Sequence, residues 1–224
     1  MFLPLLLACE ALLSPDVTNA ELAVEAFVLS DGTQTEIGAK ITRGRGIGLT
    51  PVHVGEEEAF VGYVGEEEAP LEAVELGFGD VTNTALFDAV SGGLNVGVRF
   101  DRTADDPIDD TFVVMPEDFS ITAPTAGEGV AADIALVVLW SGAVSGGTVD
   151  VRFGGDCIPG YEVTGAEDVG GVEIPAESLA AAGEVCAASL TVVRTATGTV
   201  SDAWGAGGTI AAQNGRVVTV AVGN

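Results

Sequence analysis

Basic residues are scarce in this chain. Eight lysines and arginines stand against 34 aspartates and glutamates, the formal net charge is −26, and Lys40 is the only lysine. A surface of this sign repels nucleic acids and anionic lipid headgroups, so the composition argues against DNA or RNA as a partner. The acidity fits either binding of multivalent cations or a general adaptation to salty surroundings. Because the carboxylates are spread along the whole chain, the second interpretation is favoured.

Groups that commonly carry catalysis are also scarce. The one histidine, His53, lies between two valines of a predicted strand, a position typical of a structural histidine. No serine lies in a G-x-S-x-G pattern, and the glycine pairs follow predicted strands without preceding helices, which is typical of turns rather than phosphate-binding loops. Two carboxylates can hydrolyse a glycosidic bond, so a carboxylate-based hydrolase of envelope glycans stays an alternative. We expect a protein that is not an enzyme.

Long hydrophobic runs are missing, since none approaches the roughly 20 residues that cross a bilayer. The short apolar stretch at the start ends in Leu6-Leu7-Ala8-Cys9. This pattern resembles a bacterial lipobox, where a secreted protein is cut before a cysteine that then carries lipid. We therefore predict a signal-type segment over 1–8, lipidation at Cys9 and a polar tether over 9–20.

The signal-type segment is shorter than the usual secretory core, and no basic residue precedes it. A start codon assigned too late would explain both features, and an apolar terminus with an incidental cysteine is the alternative. Under the lipobox interpretation the protein is extracytoplasmic and its membrane partner is reached through the lipid anchor. Glu10, in place of the aspartate that retains some lipoproteins at the inner membrane, favours the outer membrane of the cell envelope.

Cysteine is rare as well, with three residues in the chain. Once Cys9 is assigned to lipid, Cys157 and Cys186 remain, and an even remainder in an exported protein indicates one disulfide. A metal site is a poor alternative, because two isolated cysteines without a neighbouring histidine lack the ligands that zinc needs.

The rest of the chain has the patterns of an all-β protein. Hydrophobic residues make up 47% of the chain, which excludes a disordered polymer. Alternation such as Leu22, Val24, Ala26 and Val28 is typical of half-buried strands. Only 176–182 suggests a helix, and Asn214-Gly215 is predicted to form a turn before the last strand.

This pattern predicts two tandem Ig-like antiparallel β-sandwich domains of ordinary size. The first sandwich is expected over 21–120 and the second, with the disulfide, over 131–224. A linker is expected over 121–130, where proline, glycine and threonine are concentrated.

Two acidic features lie in the first half. The hexapeptide Val-Gly-Glu-Glu-Glu-Ala occurs at 54–59 and again at 64–69, and such charge runs are expected in solvated loops or on exposed sheet edges. Five aspartates crowd a loop between two predicted strands, where oxygen ligands suit Ca²⁺. They are Asp101, Asp105, Asp106, Asp109 and Asp110. Their spacing is not that of an EF-hand and Pro107 interrupts it, so a solvated acidic loop is the favoured interpretation.

Landmarks of the second half follow a recognisable order. Asp133 comes first and is followed by an apolar strand to Trp140. Then come Cys157, the segment 170–176, Cys186, a strand that ends at Arg194, and the closing segment 216–218. Together they resemble the uncharacterised two-β-sandwich lipoproteins of Gram-negative cell envelopes. The resemblance implies a lipidated envelope protein and brings no catalytic residue.

These inferences predict a non-catalytic cell-envelope lipoprotein that serves surface binding, adhesion or scaffolding toward a protein or glycan partner that the sequence does not name. No cofactor is expected apart from Ca²⁺ in the first alternative, a Ca²⁺-dependent binding module. The second alternative is the hydrolase of envelope glycans.

Overall fold

The computed structural model describes residues 12–44, 49–77, 80–179 and 185–223. Strands make up 61% of the structure, which confirms the predicted all-β class. Helix is limited, within these ranges, to the 3₁₀ segments Ser14–Asp16, Asn19–Glu21 and Ala176–Ser178. The helix expected over 176–182 is therefore one 3₁₀ turn in its described part. No helix in the described residues is long and apolar enough to cross a membrane.

Ten strands precede residue 115. They are β1 Leu12–Leu13, β2 Leu22–Ser30, β3 Gln34–Arg43, β4 Thr50–His53, β5 Ala59–Val64, β6 Glu67–Pro70, β7 Glu72–Gly77, β8 Asp80–Asp88, β9 Asn95–Asp101 and β10 Ile108–Val114. Eight more follow. They are β11 Ile121–Ala123, β12 Gly129–Ala131, β13 Leu136–Trp140, β14 Thr148–Gly154, β15 Tyr161–Glu167, β16 Gly171–Ile174, β17 Cys186–Thr197 and β18 Gly207–Gly223.

The first sandwich packs two layers over one hydrophobic core. One layer contains β7, β8, β3 and β2, with β4 and β1 beside the far end of β3, and the other has the order β10-β9-β5-β6. Alternation along β2 buries every second side chain, as the period of two predicts. At the centre, the rings of Phe60, Phe100 and Trp204 stack with centroids 4.6 to 6.1 Å apart.

The second sandwich also has two layers. Strands β18, β17, β14 and β15 form one layer in that order, with β12 on the outer side of β18. Strands β11, β13 and β16 form the other. One layer thus combines the last two strands with β14 and β15, and the other combines β11 and β13 with β16. This division of strands between layers is typical of an Ig-like sandwich. The core between the layers contains Trp140, Phe153, Ile174 and Leu190.

Strand β18 belongs to both sandwiches. Residues Gly207 to Asn214 pair in parallel with β2, and Gly129 to Ala131 pair with its far end, while β17 runs antiparallel along most of its length. The turn predicted at Asn214-Gly215 is therefore wrong, because the strand continues through both residues. Asn214 is buried, and its side-chain amide donates to the carbonyls of Pro116 and Glu117. These bonds satisfy the amide within the strand.

The hydrophobic cores do not follow the order of the chain. Trp204, Ile210 and Ala212, which lie within the range expected for the second sandwich, pack in the core of the first. The division at 121–130 stays a prediction. The last hairpin, formed by β17 and β18, contributes residues to both cores. At the other end, residues 12–20 differ from a free tether. Leu12 pairs with Val52 in β4, and Val17 is buried in the first core.

Candidate functional site

The predicted lipidation site, Cys9, lies outside the described residues, and so does the signal-type segment over 1–8. Its modification stays a prediction. The first described residues, Leu12 and Leu13, form β1.

The structure separates the five aspartates of the predicted calcium loop. Asp105 accepts a hydrogen bond from the backbone N–H of Asn19 at 2.9 Å, and the carbonyl of Asp106 accepts one from the Asn19 amide at 2.9 Å. Because the backbone N–H groups of Asn19 and Asp106 donate to its carboxylate, the pKa of Asp105 lies below its usual value. These two residues hold the N-terminal segment rather than facing the other three aspartates.

Asp101 and Asp109 face Arg99 instead. The guanidinium Nε lies 2.7 Å from Asp101 and 3.9 Å from Asp109, and its two terminal nitrogens reach the carboxylate of Glu68 at 2.8 and 3.2 Å. These contacts, led by those with Asp101 and Glu68, raise the pKa of Arg99. The guanidinium therefore occupies the place that a cation would take between these carboxylates. Within 12–44, 49–77, 80–179 and 185–223, no group of three or more His, Cys, Asp or Glu is arranged to hold a metal ion.

Asp110 has an unusual backbone conformation. Its φ is 61°, the only positive φ found at a non-glycine position among the described residues, and it falls where the pairing of β10 with β9 shifts register between Ile108 and Thr111. Strained residues of this kind gather at functional sites. Burial, together with the nearby Asp110 and Asp109, raises the pKa of Tyr63. Tyr63, Arg99, Glu68 and the two aspartates line a shallow depression on the outer face of the smaller sheet.

The third glutamate of each hexapeptide binds an arginine of the β9 region. Glu68 of the second copy pairs with Arg99, and Glu58 of the first pairs with Arg102 at 3.1 Å. The prediction of solvated glutamates is therefore wrong for Glu58, because the side chains of Glu58 and Arg102 are both 0% exposed. A buried glutamate is tolerated here because an arginine neutralises it.

Arg102 fastens the N-terminal segment to the first sandwich. Its Nη2 donates to the carbonyls of Ser14 at 2.6 Å and Val17 at 2.8 Å, and its Nη1 donates to Asn19 Oδ1 at 2.6 Å. The hydroxyl of Ser14 in turn accepts from the backbone N–H of Gly55 at 2.9 Å. These bonds explain why residues 12–21 pack against the domain.

A second buried arginine lies where the two sandwiches meet. Arg194 Nε donates to Asp168 Oδ2 at 2.8 Å, and Trp140 Nε1 donates to the other oxygen of the same carboxylate at 2.7 Å. Asp168 and Arg194 are each 3% exposed. Both carboxylate oxygens thus have a donor, as a buried carboxylate requires.

The terminal nitrogens of Arg194 reach the backbone between the sandwiches. Nη1 donates to the carbonyl of Glu117 at 3.0 Å and Nη2 to that of Gly142 at 2.6 Å. Arg216 donates from Nε to the carbonyl of Phe119 at 3.1 Å, and both guanidinium groups lie over the Phe119 ring. The last hairpin therefore holds the segment 116–120 through side chains on both of its strands.

The predicted disulfide is confirmed. Cys157 and Cys186 are bonded, with 6.4 Å between their Cα atoms and a sequence separation of 29. Cys157 follows β14 and Cys186 begins β17, and these strands are neighbours whose pairing reaches Gly154 and Ser189. The bond therefore joins two adjacent strands of the second sandwich just beyond the end of their pairing.

Sequence reasoning missed the two buried arginines and their carboxylate partners. One signal was available for Arg194, because it has the same parity along its strand as Leu190 and Val192, which face the core. For Arg102 there was no comparable signal, since it lies just beyond β9 and is buried by the N-terminal segment. His53 lies in β4, opposite Leu13 of β1.

No protein-family model matches the sequence, and no curated protein matches it. Among solved structures, the chain is similar to the chicken CNTN1 FN1–FN3 domains with a TM-score of 0.26 and 12% identity, over 90% of this chain and 65% of that one. A 1.5-MDa bacterial ice-binding adhesin gives a TM-score of 0.23 and 13% identity over 89% and 63%. The Yersinia pseudotuberculosis adhesin InvE gives a TM-score of 0.23 and 14% identity over 91% and 59%.

In each of these three comparisons the chain spans less than two thirds of the length of the other protein. The TM-scores are too low for these proteins to carry any argument about function.

Proposed function

We propose that this protein is a non-catalytic module of the cell envelope, in which two rigidly joined sandwiches present a surface for binding, adhesion or scaffolding and lipid on Cys9 supplies the anchor. One observation carries the proposal: β18 runs through both sandwiches, and the buried contacts of Arg194 and Arg216 hold the segment between them. Tandem domains joined only by a linker move relative to each other by default. A continuous strand removes that freedom.

Rigidity of this kind suits a display role. A module that holds a binding surface at a fixed distance and orientation does not lose the free energy of ordering its domains when a partner binds. The extreme negative charge adds solubility and makes contact between the acidic surfaces of two copies unfavourable.

The buried ionisable groups support a structural role over a hydrolytic one. Glu58 and Asp168 are the two buried carboxylates among the described residues, and each is paired with an arginine. A carboxylate that transfers a proton during hydrolysis must reach its substrate, whereas these two are buried and each is held by a guanidinium. Neither buried carboxylate therefore supports the alternative of a glycan hydrolase.

The proposed anchor would be close to the first sandwich. Cys9 lies three positions before Leu12, which pairs with β4, and a chain of that length spans at most about 11 Å. Lipid on Cys9 would therefore hold the first sandwich next to the bilayer, with the second sandwich farther along the chain.

Pulsed dipolar spectroscopy tests the rigid junction. Spin labels at Leu86→Cys in the first sandwich and Val169→Cys in the second, both at exposed positions, are placed in a Cys9→Ser chain with the native disulfide intact. We expect a single narrow distance distribution. A distribution as broad as that of two domains on a flexible linker would contradict the proposal.

Mass spectrometry of the native mature N-terminus tests the anchor. We expect a chain that begins at a triacylated Cys9. Adhesion of cells that produce the wild-type chain is compared with that of cells that produce Cys9→Ser, which should release the folded protein and lose adhesion. An unmodified Cys9, or equal adhesion of both strains with the released protein folded, would contradict the anchored adhesive role.

A further inference from the structure

The outward-facing side chains of the last hairpin carry no ionisable group. The two strands are described over their full length, and thirteen of their positions, one of them a glycine, face the solvent in alternation with the core. On β17 these are Ala187, Ser189, Thr191, Val193, Thr195 and Thr197, and on β18 they are Thr209, Ala211, Gln213, Gly215, Val217, Thr219 and Ala221. We call these thirteen residues the neutral face.

The neutral face stands out against the composition of the chain. Charged residues make up 19% of the sequence, so thirteen average positions would carry two or three of them, and exposed positions would carry more. The pairing of β17 with β18 continues without a register shift from Cys186 to Thr197. The face is therefore a continuous uncharged strip on a chain whose net charge is −26.

Apolar groups on the neighbouring strand extend this strip. Leu29 of β2 is 41% exposed and lies opposite Gln213, and Val217 within the neutral face is 61% exposed. Charged residues flank the strip on both sides. Glu25 of β2 bonds to Lys40 at 2.9 Å, and Arg152 of β14 bonds to Glu162 at 2.8 Å. Asp150 of β14, opposite Val193, accepts a hydrogen bond from the backbone N–H of Gly165 at 2.8 Å. An uncharged centre with a polar rim is the usual arrangement of a protein interface.

We propose that the neutral face binds the neutral face of a second copy of this chain and forms a two-fold symmetric dimer. Two copies that each carry a charge of −26 repel each other, and a contact between acidic surfaces would place carboxylate against carboxylate. The neutral face lets the copies meet without such pairs. A two-fold interface uses the same patch on both copies, which suits a self-complementary strip of threonine hydroxyls and valines.

The size of the strip is sufficient for a stable dimer. The 17 residues of β18 extend over about 55 Å, whereas β2 and β17 have 9 and 12 residues and cover part of that length. At the normal strand spacing the three strands offer about 600 Å² on each copy, which is the lower end of the area that a standard specific interface buries per partner.

Other occupants fit the strip less well. A glycan binds most readily on an exposed aromatic platform, but the outward aromatic ring nearest the strip, that of Phe27, lies over Gly38, where an added Cβ would collide with it. A basic protein would find its carboxylate partners on other surfaces, because the neutral face has none.

Sedimentation equilibrium of the full chain tests the dimer. The chain carries Cys9→Ser, so that neither lipid nor a disulfide through Cys9 can join two copies. We expect the dissociation constant to fall several-fold when NaCl rises from about 0.05 M to about 0.5 M, because salt screens the repulsion between the copies. An interface held by intermolecular ion pairs would weaken over the same range.

Two matched substitutions locate the interface. Val217→Glu places a carboxylate within the neutral face, whereas Val169→Glu adds the same charge at a position of similar exposure in the turn after β15. We expect Val217→Glu to weaken the dimer at least tenfold and Val169→Glu to leave it within about twofold of the wild type. Thr195→Glu is a second variant within the face and should act as Val217→Glu does. Circular dichroism verifies that each variant is folded.

Three results would overturn the proposal. The first is a chain that stays monomeric at about 100 μM and high salt. The second is a dimer that Val217→Glu and Thr195→Glu do not weaken. The third is a monomeric chain in which Val217→Glu abolishes cell adhesion while Val169→Glu does not, which would assign the face to a different partner.

Discussion

The guanidinium carbon of Arg194 lies 4.5 Å from the centre of the Phe119 ring. Arg194 is on β17 and Phe119 lies in the segment that enters the second sandwich, so this contact joins the last hairpin to the middle of the chain. The same guanidinium also bonds to Asp168 and to the carbonyl of Glu117. One buried side chain thus links three separate parts of the sequence at the junction of the two sandwiches.

Replacement of Arg194 by methionine should destabilise the protein strongly. Asp168 would remain buried without its cation, and breaking a buried pair in this way costs about 3–5 kcal/mol. Urea unfolding followed by circular dichroism measures the loss. The double variant Arg194→Met/Asp168→Asn should lose less than the sum of the two single variants, because the uncompensated charge is gone. Additive losses would mean that the two side chains do not act as a pair.

Replacement of Arg102 by methionine should release the N-terminal segment. The carbonyls of Ser14 and Val17 would lose their donor, and Glu58 would be left buried and unpaired. We expect faster hydrogen exchange over residues 14–21, together with a loss of about 3–5 kcal/mol in the free energy of unfolding.

Arg43→Met provides the control for Arg102. Arg43 pairs with Glu21 at the surface, where both side chains are at least 38% exposed, so its loss should change the free energy of unfolding little. Equal effects of Arg43→Met and Arg102→Met on exchange would argue against the fastening role of Arg102.

Removal of the disulfide should lower stability without changing the fold. The bond closes a loop between residues 29 apart in sequence, and loop-closure entropy attributes about 3–4 kcal/mol to a loop of that length. The double variant Cys157→Ala/Cys186→Ala should therefore unfold at lower urea concentration than the wild type. A reducing agent should lower the wild-type midpoint toward that of the variant and leave the variant unchanged. A reducing agent that shifts both proteins equally would show that the effect lies elsewhere.

Asp31 should make part of the stability depend on pH. The hydroxyl of Thr33 and the backbone N–H groups of Gln34 and Thr33 donate to its carboxylate and hold the pKa of Asp31 at about 2 rather than 3.8. Because the folded pKa is the lower one, the stabilisation is complete above about pH 4 and is lost as the pH falls toward 2.

Thermal melts from pH 7 to pH 2 measure this contribution. The difference between wild type and Asp31→Ala should be constant above about pH 4 and should shrink below it. Thr33→Val removes the strongest hydrogen-bond donor to Asp31, so the folded pKa of Asp31 should rise. The pH range over which stability depends on Asp31 should therefore become narrower than in the wild type. A difference that grows as the pH falls would have the wrong sign for a lowered pKa.

Local patterns were sufficient for much of the fold. Alternation at Leu22, Val24, Ala26 and Val28 identified β2 correctly, because a strand with one buried face repeats every two residues whatever its partners are. The pairing of Cys157 with Cys186 followed from counting cysteines. The prediction of a free tether was wrong from Leu12 onward. A polar composition does not reveal that Arg102, far away in the sequence, will donate hydrogen bonds to the backbone carbonyls of this segment.

The sequence predicted less of the candidate site than of the fold. Five aspartates close in sequence predicted one calcium loop, but Asp105 turns toward Asn19 while Asp101 faces Arg99. Proximity in the chain does not determine which way a carboxylate points, since that depends on the basic and amide groups brought near it by other strands. The chain has eight basic residues and 34 acidic ones, so most carboxylates have no basic partner. The sequence does not show which carboxylates pair with an arginine.

The sequence by itself determined the all-β class, the acidic surface and the disulfide, because these depend on composition and on the short-range period of two. Only the tertiary structure decided that β18 joins both sandwiches, that Glu58 and Asp168 are buried against arginines, and that the last hairpin presents an uncharged face. Each of these results depends on pairing between residues far apart in the chain. Strand pairing over such distances is set by the packing of whole layers, which no local pattern encodes.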